Sequence, residues 1–127
     1  MSFISKIINY DTEKLHVFNL KNNLYNIFIT KDKPLIVSDE FTIHWDYLYD
    51  PDILYVKKNT LINWDTDKFD IYLLSSEILY NHCIVDEQIN LTKKINNIFT
   101  YFIEPGYYYF SSKKNCKNGK KITIIVE

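Results

Sequence analysis

The chain has no alanine and no arginine in its 127 residues, and only two glycines, three prolines, one methionine and two cysteines. Each shortage excludes something. Alanine is the best helix former, so its absence disfavours a helical bundle. Two glycines, Gly106 and Gly119, cannot build the glycine-rich loop that cradles a phosphate. No Pro/Gly-rich linker, low-complexity tract or internal repeat interrupts the chain, so residues 1–127 are expected to form a single domain, with 1–11 an arm or an extra strand. With no arginine, all fifteen basic residues are lysines, and sixteen carboxylates balance them to a net charge of −1. That balance argues against a dedicated nucleic-acid binder, which carries a marked positive surplus. The opening "MSFISKIINYDTEKLHVF" has no apolar run long enough for a signal peptide or a membrane span. The chain is then expected either to be cytosolic or to follow a leader that it does not include.

What is present points to sheet. Aromatic residues make up 17% of the chain, mostly eleven Tyr and eight Phe, and Ile is abundant; these types suit a pleated, half-buried surface. Short runs of them recur between polar breaks: "KLHVFNL" and "LYNIFIT", read as a hairpin around Lys21–Asn23, then "PLIVSDEFTIHW", "ILYV", "TLINW", "DIYLL", "NIFTYFI", "YYYFSS" and "KITIIVE". In the last of these, Ile122, Ile124 and Val126 share one face. Alternation sends some of Tyr107, Tyr108 and Tyr109 inward and some outward. One segment, "SSEILYNHC", reads as a helical turn capped by Ser75 or Ser76, with Ile78 and Leu79 facing inward. "DEQINLTKKINN" reads as an exposed polar excursion holding the glycosylation triplet Asn90-Leu91-Thr92. The class expected is all-β, a sandwich or barrel with one or two short helical turns.

Chemistry-bearing patterns are sparse. His16 and His44 lie in expected strands, and His82 adjoins Cys83 without further ligands at a recognised spacing. "DTDKFD" (Asp65, Asp67, Asp70) resembles the start of a calcium loop but lacks the turn glycine and the distal bidentate glutamate. No nucleophile-elbow pattern occurs, and the chain is not expected to be an enzyme. The two cysteines could form one bridge or remain buried thiols.

From about Ile53 to Glu127 the chain resembles the phytocyanins, the plant branch of the cupredoxin family, and more closely their copper-free relatives, the early nodulin-like proteins. The residues that carry this are "DIYLLSSEILYNHC" and "EPGYYYFSSKKNCKNGKKITIIVE", where Pro105-Gly106, Tyr109-Phe110, Cys116, Gly119 and Lys121 fall in the family's order. The first half matches more weakly and lacks the Gly-Asp of the family where Lys58-Asn59 stand. The resemblance implies a Greek-key β-sandwich. It also places the family's four copper positions on Phe69, Ser112, Asn115 and Lys120. A blue-copper site needs two imidazoles, a thiolate and a weak axial ligand. None of these four supplies its part, so no metal and no cofactor are expected.

The resemblance further implies a Cys83–Cys116 disulfide, a closure that stabilises by roughly 3–4 kcal/mol in the chain-entropy model and belongs in an oxidising compartment. A bridged protein would then be secreted or in the secretory pathway, and an unbridged one cytoplasmic. The function expected is a recognition or structural module whose former metal end binds a protein or anionic glycan. Asp65, Asp67, Lys68, Lys113, Lys114, Lys117 and Lys120 are the candidate contact residues, and Asn90 the candidate glycan acceptor. The runner-up is an intracellular nucleic-acid-binding β-barrel using the lysine cluster beside the tyrosines. A third reading is an atypical copper-handling protein using Cys83, Cys116 and His82.

Overall fold

Among the described residues twelve strands account for the aromatic and β-branched runs. They are β1 (Ile8–Asp11), β2 (Leu15–Asn19), β3 (Phe28–Thr30), β4 (Lys33–Pro34), β5 (Asp39–His44), β6 (Asp52–Val56), β7 (Thr60–Asp65), β8 (Tyr72–Leu74), β9 (Ile89–Asn90), β10 (Asn97–Phe102), β11 (Gly106–Ser111) and β12 (Lys121–Val126). Among the described residues one short helix, α1 (Glu77–Asn81), and two 3-10 turns, Trp45–Tyr47 and Cys116–Asn118, complete the elements. The computed structural model describes residues 8–11, 15–19, 28–30, 33–34, 37–85, 89–92 and 97–127, with side chains from 37 onward except at 89 and 97.

Two five-stranded sheets form, in the orders β1-β2-β10-β7-β5 and β6-β12-β11-β8-β9, and β3 pairs with β4 alone. Pairing is antiparallel except for β5 with β7 and β6 with β12, which run parallel. Parallel neighbours need a crossover between them. The chain makes one by leaving the first sheet after β5, adding β6 to the second, and returning as β7. Among the described residues β2 pairs with β1 and β10 while β3 pairs with β4. The hairpin turn expected at Lys21–Asn23 lies outside the described residues. Ile8–Asp11 pairs with β2 as an edge strand, and residues 1–7 of the expected arm or extra strand lie outside the described residues.

The interior follows period-two alternation. Ile62 and Trp64 from β7, with Ile98, Thr100 and Phe102 from β10, are all sealed from solvent. Tyr108 and Phe110 of β11, and Ile122, Ile124 and Val126 of β12, are buried as well. Rings lock the sheets together across the middle: Trp64 of the first sheet lies 4.8 Å from Phe110 of the second, and Phe102 lies 4.9 Å from Tyr108. The one polar atom of the Trp64 ring is satisfied, since Nε1 donates to Thr100 Oγ1 at 2.9 Å. Leu91 is also core, at 1% exposure. The excursion read as polar therefore dips into the interior around β9 rather than standing in solvent. Asn90 is half-buried there, its carboxamide donating to the Tyr72 hydroxyl and accepting from Thr92. A glycan at Asn90 would first have to open the bond to Tyr72.

A smaller cluster, Leu74, Tyr80, Val85 and Cys116, sits under α1. Ser76 caps the helix, its hydroxyl accepting from Leu79 N. Tyr80 rather than Ile78 turns inward; Ile78 is 68% exposed. In so short a helix the inward face is set by which side meets β8 and β11, and Tyr80 stacks against Tyr109 of β11 at 5.4 Å. The helix ends in a pair of reverse bonds, Ile84 N to Leu79 O and Cys83 N to Tyr80 O, with Cys83 at φ 53. Glycine usually takes this left-handed position, but here the residue is Cys83, bonded to Cys116 with 5.6 Å between Cα atoms.

Candidate functional site

At one end of the sandwich three segments converge: the turn at 45–50, the loop at 65–70 and the loop at 111–120. Lys120 joins them. Gly119, at φ 98, precedes it; any Cβ there would lie 2.6 Å from Tyr49 O, so only glycine allows the chain to pass. Lys120 itself is 3% exposed. Its ammonium donates to Trp45 O and Leu48 O, both at 2.7 Å, and lies 3.3 Å from Asp46 O. Leu48 N already donates to Trp45 O at 3.1 Å, and the Lys120 ammonium adds a second donor there while reaching the neighbouring Leu48 and Asp46 carbonyls, a cluster that a cation with three donors fits. The same Nζ stands 4.1 Å from the Phe69 ring centroid and 5.1 Å from that of Tyr49, within cation–π range. Burial lowers the Lys120 pKa, and the Asp46 carboxylate opposes that shift.

Asp46 binds the second segment. Burial works against its charge, yet bonds from Asp67 N, the Thr66 hydroxyl and Lys68 N outweigh it and hold the carboxyl below 3.8. Asp70 binds the third. Its carboxylate accepts from Ser112 Oγ at 2.8 Å and from Lys113 N at 3.0 Å, while its carbonyl accepts from the Trp45 ring at 2.9 Å. Ser112 Oγ in turn accepts from Asn115 N, and Asn115 O accepts from Lys120 N. Phe69 is thus brought to the same end of the molecule as Ser112, Asn115 and Lys120, more than forty residues further along the chain.

These groups do not fit a copper ion. The hydroxyl of Ser112 is committed to Asp70, Phe69 offers only a ring face, and the Lys120 cation is held against backbone carbonyls and would repel a second cation. Among the described residues no three His, Cys, Asp or Glu side chains converge as a metal-holding group. The "DTDKFD" carboxylates disperse: Asp65 Oδ2 faces His44 Nδ1 at 2.9 Å, and Asp70 turns to Ser112. Cys83 and Cys116 are bonded to each other, leaving no thiolate beside the exposed His82 for copper handling. For His16 the backbone lies in β2.

Of the candidate contact residues, Asp65, Asp67, Lys68, Lys113, Lys114 and Lys117 are exposed around this end. Lys120 is the correction, because its ammonium is an internal fastener rather than part of the basic surface. The sequence reading missed Asp46, Tyr47 and Tyr49. Tyr47 and Tyr49 are 75% and 66% exposed. The signal was the aromatic–acid density of "HWDYLYD", of which only His44-Trp45 was read, as the end of a strand.

No protein-family model and no curated protein matches the chain. In fold it is similar to cucumber stellacyanin in its Cu2+ form, at 14% identity over 68% of this chain and 96% of that one, with a TM-score of 0.49. It is also similar to a reduced Cu(I) amicyanin mutant and an oxidised one, each at 12% identity over 67% of this chain and 90% of that one, with TM-scores of 0.41 and 0.40. With two five-stranded sheets and one short helix among its described residues, the chain is an all-β sandwich rather than a closed barrel.

Proposed function

We propose that the chain is a copper-free recognition module of cupredoxin type, without enzymatic activity, whose loop end binds an acidic protein surface or an anionic glycan. The observation that carries the reading is Lys120. Its ammonium fills the space between the 45–50 turn and Phe69 and supplies positive charge from within the chain. The loops are thereby held rigid with no added ion. Around them stand the exposed Tyr47 and Tyr49 and the exposed Lys68, Lys114 and Lys117. Flat rings and dispersed cations on fixed loops suit recognition of an anionic surface. The disulfide supports an oxidising, extracellular or secretory setting. Among the described residues no helix is long and apolar enough to cross a membrane.

Two measurements test the reading. Titration with cupric and cuprous ions should give no intense blue band and no rise in melting temperature; either would overturn the copper-free claim. Retention on a sulfated-glycan column and on an acidic-protein column should fall steeply with salt. It should drop further in the double variant Lys114→Glu, Lys117→Glu. Stronger retention on an oligonucleotide column than on either would favour the nucleic-acid reading instead.

A further inference from the structure

A second surface lies outside the loop end and shares none of its residues. On β6, β12 and β11 the side chains that alternate away from the core are Ile53 and Tyr55, Thr123 and Ile125, and Tyr107 and Tyr109. Register sets Tyr107 opposite Ile125, which lies opposite Tyr55 on its other side, and Tyr109 opposite Thr123. A solvent-facing sheet surface is ordinarily polar. Here Ile53, Tyr55 and Tyr107 are 55%, 63% and 65% exposed. Beside α1 this surface deepens into an open groove of about 370 Å³, lined by Tyr80, Tyr107, Tyr109, Ile53 and Ile125. The charged residues of that lining are Asp52 and Glu77, both carboxylates. Burial, and next to it the neighbouring Glu77 carboxylate, push the Tyr109 hydroxyl above its ordinary pKa, which sets one carboxylate of the groove beside a ring.

We propose that this groove binds a lysine or arginine side chain presented by a peptide segment of a partner protein. Charge complementarity selects that occupant. Covering two carboxylates with a neutral ligand would cost desolvation with nothing to offset it, whereas a cation on an apolar stem meets both the acids and the ring faces. The chain itself shows the pairing next door. From the adjoining cavity Lys121 places its ammonium 4.5 Å from the Tyr80 ring centroid, on an aromatic residue that also lines the groove. A stacked sugar would find β-branched Ile53 and Ile125 where it needs flat faces.

The test is an amide chemical-shift titration of the isotopically labelled full chain with the peptide Gly-Ser-Lys-Ser-Lys-Ser-Gly at low salt. Shifts are expected at Glu77, Tyr107, Tyr109 and Thr123, with binding about tenfold weaker in the double variant Asp52→Asn, Glu77→Gln. Tyr107→Ser, at an exposed position, should weaken binding while leaving the remaining spectrum in place, which guards against a variant that has merely lost its fold. The same peptide with both lysines acetylated should not bind. Equal binding of the acetylated peptide, shifts confined to the loop end, or no shift at millimolar peptide would each overturn the proposal. So would saturable binding of a neutral cello-oligosaccharide in the groove. Shifts of the same amides that grow with protein concentration alone would show a second copy seated there, and would overturn it as well.

Discussion

Trp45 is held in two opposite ways on its two sides. Its indole faces the interior, sealed from solvent, and meets the Trp64 ring edge-on at 5.5 Å. Its carbonyl faces the loop end and accepts the Lys120 ammonium at 2.7 Å. On the first side stability comes from apolar area and close packing, which tolerate changes that conserve volume. On the second it comes from charged groups whose partners are mostly backbone atoms, and these tolerate almost nothing, since losing one group leaves the others buried and unpaired. A sandwich can therefore be generic in its middle and particular at one end.

The comparison can be broken or sharpened by four variants. The largest effect is expected in the interior. Phe110→Ala removes a fully buried ring that touches both Trp64 and Phe102, and should cost about 3–5 kcal/mol in denaturant unfolding. Phe110→Leu should recover most of that, and failure to recover would show the interior to be as exacting as the loop end. Lys120→Met keeps the apolar stem but takes the charged donor from the carbonyls of Leu48 and Trp45, the latter keeping only its bond from Leu48 N, and should cost about 1–3 kcal/mol. If it costs nothing, the ammonium is not what fastens the turn.

Asp46→Asn should cost about 1 kcal/mol at neutral pH by weakening the bonds from Thr66, Asp67 and Lys68. Its pH dependence has a definite sign. The folded-state pKa lies below 3.8, so the carboxylate's contribution is complete above that value and fades as pH falls through the lower folded one. The variant should therefore converge on the wild type in acid, below about pH 4. A constant difference across the titration would mean that Asp46 acts by shape and not by charge. Smallest of all, His44→Gln removes a contact with Asp65 whose side chains are 62% and 60% exposed, and should shift stability by less than about 0.5 kcal/mol.

Much of the frame was legible. Alternation in "KITIIVE" placed Ile122, Ile124 and Val126 inward, the tyrosine run split with Tyr108 in and Tyr107 out, and Ser76 caps the one helix in "SSEILYNHC". The disulfide came from the family resemblance alone, since two cysteines do not reveal their own geometry. The errors share a cause. Ile78 and Leu91 were judged from local chemistry, but which face of a one-turn helix is covered and where an excursion dips depend on distant segments.

By itself the chain's composition and alternation determined the class: short β-strands with aromatic interiors, because period-two burial needs only the order of neighbouring residues. Tertiary structure decided the role of Lys120. Its carbonyl partners lie 72 to 75 residues away, and whether a lysine meets water or backbone oxygens is set by what the fold lays over it.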